Sequence, residues 1–296
     1  MRFLIAGSSG LIGTALARRL AGEGHEVRTL VRREPANERE SRWDPRAGVV
    51  PAEPVAWADA LVNLAGAPLT RLPWTAAYRG ELLESRVRAT ATLAAAVRDS
   101  ASPPRVWVNG SAVGYYGDRP GERLDEASAP GSGFLAGLVR EWEAATAPAV
   151  PTTRVVLART GLVLARGGAL RPLTLATRLG LGSRIGPGRQ HWPWVGLADE
   201  VGALVHLAAR SDLSGPVNLV GPIPATSVDI TREFASRLRR PHLFRLPAAL
   251  LGAVLGAAAD DLLLADQLVA PSRLLDDDYA FVDASPGTAI ARIPRP

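Results

Sequence analysis

Apolar residues keep two rhythms through the first half of the chain. Short uninterrupted runs, Phe3-Leu4-Ile5-Ala6, Ala60-Leu61-Val62 and Val106-Trp107-Val108, predict strands buried on both faces. Between them apolar residues recur every third or fourth position: Leu11, Ile12, Ala15, Leu16 and Leu20, then Leu82, Val87, Leu93 and Val97. That spacing predicts amphipathic helices, one beginning near Leu11, one over 73–98 and one over Phe134 to Ala145. Val27 to Val31 and Thr153 to Ala158 add strands, and a short third strand ends at Trp43-Asp44-Pro45. Strand and helix alternating in this way predict a doubly wound parallel sheet, an α/β fold.

Past Gly161 the rhythm changes. A helix over Leu170 to Leu179 is set among glycine-rich loops, and Gln190-His191-Trp192-Pro193-Trp194 forms an aromatic loop. Helical spacing returns over Leu197 to Ala209 and Ser227 to Arg240, with a strand at Val217 to Val220 between them. The tail carries an apolar helix from Leu246, a second segment over Leu262 to Val269 resembling a helix, and a short strand at Ala280-Phe281-Val282. The pattern predicts residues 1–165 as a nucleotide-binding domain to which the 197–210 helix returns. Residues 166–296 then form a smaller mixed α/β module on the substrate side, with 246–296 as its last part.

The junction of the first strand and helix reads Gly7-Ser8-Ser9-Gly10-Leu11-Ile12-Gly13. In a βαβ unit, three glycines so spaced allow a tight turn at Gly7, close approach of a pyrophosphate at Gly10, and close packing of helix on strand at Gly13. The phosphates lie over the helix N-terminus. This is a Rossmann-type dinucleotide cradle. The strand ending in Leu64-Ala65-Gly66 brings small residues to the same sheet edge, where ribose and adenine can lie close to backbone.

Composition narrows the chemistry. There is no cysteine, which excludes disulfides, thiolate nucleophiles and cysteine-ligated metals. There is no lysine either, all 34 basic residues being arginine, so Schiff-base chemistry and a Walker-type lysine are excluded. The four histidines are scattered, and no metal site is expected. Net charge is +5, yet the arginines are interleaved with acids, so no nucleic-acid partner is expected. The apolar run from Leu246 to Ala259 is too short to span a bilayer, and no signal peptide precedes the first strand, so the expectation is a soluble cytoplasmic protein without membrane contact.

Four stretches resemble the extended short-chain dehydrogenase/reductase superfamily, in its nucleoside-diphosphate-sugar epimerase-like branch. They are the glycine turn at 7–13, Asn63-Leu64-Ala65-Gly66, Gly110-Ser111-Ala112-Val113-Gly114-Tyr115-Tyr116-Gly117-Asp118, and Arg159-Thr160-Gly161-Leu162-Val163-Leu164. Gly133-Phe134-Leu135 with Trp142-Glu143, Gly167-Gly168-Ala169-Leu170 and the loop from Gly186 to Gln190 are similar to the subgroup known as "epimerase family protein", which ends in a domain of unknown function. The resemblance implies the fold and a nicotinamide dinucleotide; the reaction of the subgroup is generally unassigned.

The cofactor is expected to be NADP. Where an NAD site carries an acid near the end of the second strand, this chain has Arg32 and Arg33, whose guanidinium groups suit a 2′-phosphate. Asp44, Arg86 and Arg159 complete the expected cofactor-binding set, with Arg159 facing either the nicotinamide or an ion-pair partner. In the superfamily a serine and the tyrosine of a YxxxK helix handle the proton. The resemblance puts Ser111 at the serine position, but Phe134 at the tyrosine and Leu138 at the lysine. Ser111 with Tyr115 or Tyr116 is therefore the expected catalytic set. Trp142-Glu143 is expected to buttress the Ser111 loop, and Gln190, His191, Trp192 and Glu126 to lie near the substrate. Three functions fit: an NADPH-dependent oxidoreductase or epimerase acting on a small molecule, an NADPH-binding regulator without turnover, or a non-redox protein acting on a sugar nucleotide or small metabolite. Monomer and homodimer both remain open.

Overall fold

A computed structural model describes residues 1–294. Seven parallel strands form the central sheet: β1 (Arg2–Ala6), β2 (Glu26–Val31), β3 (Glu40–Arg42), β4 (Ala60–Asn63), β5 (Val106–Ala112), β7 (Arg154–Thr160) and β11 (Gly215–Leu219). Their order is β11-β7-β5-β4-β1-β2-β3. The chain runs outward from β1 through β2 to β3, then crosses back to β4 on the other side of β1. That reversal opens a crevice between β1 and β4 at the carboxyl edge of the sheet, where a doubly wound fold binds its ligand.

Alternation along each strand divides the core. Phe3 and Ile5 face one way, with Val62, Val108, Val156 and Val217, against Leu16 and Leu20 of α1 (Leu11–Gly22) and Val201 and Leu204 of α6 (Leu197–Ala209). Leu4, Leu61, Trp107 and Val155 face the other way, against Val55 of α2 (Ala52–Trp57) and Ala89, Leu93 and Val97 of α3 (Ala76–Arg98). Burial on both faces accounts for the uninterrupted apolar runs. The N-terminus of α3 is capped by Thr75, whose side chain accepts from the Tyr78 amide. Helix α4 (Phe134–Ala144) packs on α3 through Leu135, Leu138, Val139 and Trp142.

The later chain is tied to the earlier by short parallel pairs: β6 (Arg123–Leu124) with β13 (Leu268–Val269), and β8 (Leu162–Leu164) with β10 (Trp194–Gly196). A third pair, β9 (Gly182–Ile185) with β12 (His242–Leu246), sits with α5 (Arg171–Arg178), α7 (Ser227–Arg237) and α8 (Ala248–Leu255) around a separate apolar cluster. Strand β11, well beyond residue 165, completes the central sheet beside β7.

Two expectations about the tail need correction. Leu262 to Val269 is not one helix: a wide helical turn ends at Leu264 and the chain extends into β13. Strand pairing with β6 supplies hydrogen bonds that an isolated short helix could not match. Ala280 to Val282 forms no strand; Phe281 instead packs edge-on against Tyr279 beside the first core cluster.

Candidate cofactor and substrate site

The glycine turn separates what the fold demands from what a ligand demands. Gly7 has φ +86°, and a Cβ there would sit 2.6 Å from the Leu64 carbonyl carbon. A Cβ at Gly13 would overlap the Gly7 carbonyl oxygen. Both positions are closed to any side chain by the protein itself. Gly10 differs: its nearest neighbour would be the Gly7 carbonyl oxygen at 3.5 Å, an ordinary contact. Nothing inside the molecule requires glycine there, so the open space lies on the ligand side. Gly10 is also the N-cap of α1 and offers no side-chain cap, which leaves the first amides of the helix turned outward. Ser8 and Ser9 sit in the turn, and the Thr14 hydroxyl fastens it by donating to the Ser8 carbonyl at 3.0 Å.

Around this turn the basic residues fall into two kinds. Arg33 is engaged: its guanidinium donates to both Glu40 oxygens at 2.7 and 2.6 Å, and that pairing holds the Glu40 carboxyl down at about 2. Arg32 is exposed and makes no hydrogen bond or ion pair among the described residues. Arg86, on α3, is 9% exposed, donates to the Leu82 carbonyl at 3.0 Å and lies 5.2 Å from the Trp142 ring. No carboxylate among the described residues pairs with it, and burial pulls its guanidinium down to about 10. It lies against Gly66, whose Cβ would come 3.1 Å from the Arg86 side chain. A buried cation without an anion is costly unless a ligand supplies one. Asp44 is occupied otherwise, its carboxylate accepting from the Arg46 and Ala47 amides in a turn.

Asn63 shapes the strand end beside the turn. Its side-chain oxygen Oδ1 accepts from the Ala65 amide, and its side-chain Nδ2 donates to Asn109 at 2.7 Å and Thr90 at 3.2 Å. Leu64 and Ala65 are thereby held against Gly7.

The loop after β5 holds three of the expected site residues in bonds within the protein. Ser111 is 4% exposed, and its hydroxyl donates to Glu143 Oε1 at 2.6 Å. Arg159 is 3% exposed and grips both oxygens of Glu143 at 2.8 and 2.9 Å, the ion-pair alternative of its expected roles. Burial opposes the Arg159 charge, but the Glu143 bonds outweigh it and hold the guanidinium more firmly protonated. Tyr116 has no exposed surface; its hydroxyl donates to Asn218 at 2.7 Å and accepts from Arg159 at 3.0 Å. Burial pushes its phenol up to about 12. Tyr115 is half-buried, with its ring 3.5 Å from the Arg159 guanidinium and its hydroxyl unbonded among the described residues. The expected buttress from Trp142-Glu143 is present: Glu143 holds Ser111, and the Trp142 ring backs Gly110 while its nitrogen donates to Thr90.

Beside this loop lies a cleft of about 300 Å³ whose lining includes Gly114, Leu135, Asp118, Asp260, Asp261 and Gln267. The α4 side chain that meets the loop is Leu135, against Gly114; Phe134 turns away and packs edge-on against Trp74. Phe134 is therefore not the residue at the cleft, and Leu135 supplies no acid either. Four other expected neighbours of the substrate are hydrogen-bonded within the protein. Gln190 donates to the Ile185 and Leu263 carbonyls, Trp192 donates to the Leu263 carbonyl, and His191 pairs with Asp266 at 2.8 Å. Glu126 accepts from the Asn218 and Arg273 amides. Sequence reasoning missed Asn218, Asp261 and Gln267, which lie more than 70 residues from their partners in the loop and on α4; no local pattern marks them. No cluster able to hold a metal ion occurs among the described residues, and no helix is long and apolar enough to cross a membrane.

The sequence matches the NAD dependent epimerase/dehydratase family over residues 3–219 and a domain of unknown function, DUF1731, over residues 246–293. The chain belongs to the NAD dependent epimerase/dehydratase family. Within it, the chain is 43% identical over 288 residues to the epimerase family protein Mb2239 of Mycobacterium bovis, covering 97% of this chain and 95% of that one. It is 38% identical to the human epimerase family protein SDR39U1 over 99% of both chains. The crystal structure of the human protein with NADPH superposes with a TM-score of 0.90 at 36% identity over 99% of each chain. MoeE5, solved with UDP-glucose and NAD, shares the fold at a TM-score of 0.77 and 19% identity, covering 99% of this chain and 97% of that one.

Proposed function

We propose that this family member binds NADP(H) and acts as an oxidoreductase or epimerase on a small molecule, without the serine–tyrosine–lysine proton machinery of its superfamily. The observation that carries the cofactor assignment is the pair of cations without a carboxylate partner among the described residues beside the glycine turn, Arg32 at the end of β2 and Arg86 under Gly66. The human relative crystallised with NADPH supports the same choice. The cradle residues Gly7 to Gly13 would hold the pyrophosphate over α1, Leu64 to Gly66 would floor the adenosine, and Arg32 would meet the 2′-phosphate. A bound nicotinamide would supply hydride transfer. The chain's part is to orient that ring at the carboxyl edge of the sheet, where Tyr115 presents the one phenol of the loop that is not hydrogen-bonded within the described protein.

Titration by nucleotide fluorescence tests the cofactor. NADPH is expected to bind at least tenfold more tightly than NADH, a difference of about 1.4 kcal/mol. Arg32→Ala is expected to remove that preference, and Arg33→Ala to leave most of it, because Glu40 holds Arg33. Equal affinities in the unsubstituted protein would refute the NADP assignment.

A second function, NADPH binding that regulates a partner without turnover, is favoured by Leu135 at the cleft and by the closure of Ser111 and Tyr116 onto Glu143 and Asn218. A carbonyl and alcohol panel separates the two. Turnover that falls in Tyr115→Phe supports the enzyme; tight NADPH binding with no turnover across the panel supports the regulator.

A further inference from the structure

Exposed apolar side chains gather on one part of the later chain. Fourteen large ones are exposed among the described residues, and six of these come from two short stretches: Leu175, Leu179 and Leu181, then Leu243, Phe244 and Leu250. The fold joins the stretches. β9 and β12 run parallel with Gly182 opposite His242, so Leu181 and the start of β12 meet at one end of the pair. The Leu181 amide donates to the Ala176 carbonyl at 2.9 Å, which folds the turn after α5 back beside that end. β9 is largely buried, whereas Leu243, Phe244 and Arg245 of β12 are exposed, Leu243 by 81%. The strand leads straight into α8, whose eight residues include no polar side chain. A helix apolar on every side is normally buried all round, yet Ala248, Ala249, Leu250 and Ala253 are exposed. Leu246 and Leu251 face the module's own core, so these elements are apolar outside as well as inside.

Charge marks the same face independently. No aspartate or glutamate occurs between Glu143 and Asp199, or between Glu233 and Asp260, and α5, β9, β12 and α8 all lie in those two stretches. Arg239, Arg240 and Arg245 are exposed beside the leucines and form no ion pair among the described residues. Elsewhere surface arginines are paired, Arg28 with Glu53, Arg98 with Asp99 and Arg119 with Glu122. The acids of α7 point to other tasks. Asp229 caps the start of that helix with Thr226, and Glu233 lies against Gly287. The face is therefore apolar and positive at once, with no acid of its own elements to neutralise it.

From this arrangement we infer that the β12–α8 face docks peripherally on an anionic lipid bilayer. Leu243, Phe244 and Leu250 enter the headgroup–acyl boundary, and Arg239, Arg240 and Arg245 meet the lipid phosphates. Such an interface supplies negative charge and an apolar bed together. A second copy across a two-fold axis would set these arginines against their own counterparts. Nucleic acid offers phosphates but leaves the leucines and α8 uncovered. The length of the apolar run from Leu246 bears on crossing a bilayer, and no helix among the described residues is long and apolar enough to do so. Lying against a bilayer depends instead on outward apolar area and charge, and α8 would rest in the plane of the interface. The domain matched over residues 246–293 thereby gains a task, since α8 opens it. The contact needs neither cofactor nor turnover.

The test is co-sedimentation of the full chain with vesicles of phosphatidylcholine alone, or of phosphatidylcholine with roughly one third phosphatidylglycerol. Partitioning onto the anionic vesicles is expected to be about tenfold stronger, and to weaken as salt is raised. Leu243→Ser with Phe244→Ser is expected to reduce it about tenfold at an unchanged thermal midpoint, because both side chains are exposed. Arg239→Gln with Arg240→Gln is expected to reduce it about fivefold for each arginine removed. Orientation has its own readout, since the chain contains no cysteine. An environment-sensitive fluorophore on Leu243→Cys should shift to the blue with anionic vesicles, and one on Val150→Cys, exposed elsewhere, should not. Equal partitioning onto both vesicles, partitioning that survives both double substitutions, or equal shifts at the two labels would each overturn the assignment. A lipid-free dimer in sedimentation velocity that Leu243→Ser with Phe244→Ser dissolves would give the face to a second copy instead. Binding to polyglutamate as tight as to anionic vesicles would give it to an acidic protein.

Discussion

The two ends of the proposed site are built in opposite ways. Around the glycine turn, polar groups are left without side-chain caps or anions: the first amides of α1, Arg32, and the buried Arg86. Around the loop after β5, polar groups close on one another, Ser111 and Arg159 on Glu143 and Tyr116 on Asn218. Unsatisfied buried groups raise the free energy of the empty protein and are lowered by a ligand, whereas a closed network stabilises the fold whether or not a ligand is present. The difference teaches that residue type does not make a site. A serine, two tyrosines and an arginine in stretches resembling the superfamily look reactive in sequence, yet three of them are bonded within the protein.

Removing a member of the closed network tests this most severely. Glu143→Ala leaves Arg159 buried without its anion and is expected to destabilise the protein by about 3–5 kcal/mol in urea unfolding. Ser111→Ala is expected to cost only about 1 kcal/mol, because one neutral donor is lost and the ion pair survives. A loss below 1 kcal/mol for Glu143→Ala would mean the network is not structural.

The glycine turn gives a sharper pair. Gly13→Ala places a methyl on the Gly7 carbonyl and is expected to cost about 3 kcal/mol of stability along with NADPH binding. Gly10→Ala meets no closer protein atom than 3.5 Å, so its thermal midpoint should match the unsubstituted protein while NADPH affinity falls about 100-fold. Equal stability losses in the two variants would contradict the division between fold and ligand.

A third test uses pH. Glu200 has no exposed surface, accepts from the Thr160 hydroxyl at 2.8 Å, and is pushed by burial up to about 8 from an ordinary 4.5. Its folded value lies above its unfolded one, so the folded state retains the proton more tightly. The resulting stability is complete below about 4.5 and is lost as pH rises towards 8. Between pH 6 and 8 the protein is expected to lose about 2 kcal/mol, and Glu200→Gln to flatten that slope in chemical unfolding. The smallest effect is expected for Arg86→Met. Unliganded stability should hold or rise, since an unpaired buried charge is removed, while NADPH affinity falls about tenfold, or about 1.4 kcal/mol, by calorimetry.

Much of the cofactor half was legible in the chain. The glycine turn, Arg32 and the small residues at 64–66 are consecutive in sequence or follow at the spacing a βαβ unit imposes, so local pattern and geometry coincide. The loop after β5 was legible as a place and misleading as a chemistry. Tyr115 and Tyr116 are neighbours, yet a short helical turn sends one ring to the margin of the core and the other into it. The cleft was not legible, because its walls come from residues 114–135 and 260–267. Asp260 and Asp261 read in isolation as the polar end of an apolar helix.

What the sequence determined by itself was the alternation of buried strands with amphipathic helices, the dinucleotide turn, and the absence of any lysine or thiol chemistry. These follow from residue type and from spacings shorter than one βαβ unit. Only the tertiary structure decided which polar groups are free. Whether Ser111 faces a ligand or Glu143, whether Arg33 or Arg32 is available, and whether Asp261 meets solvent or the first turn of α4 depend on contacts across the chain. A hydrogen bond uses up a group's capacity wherever its partner comes from, and sequence distance carries no record of that pairing.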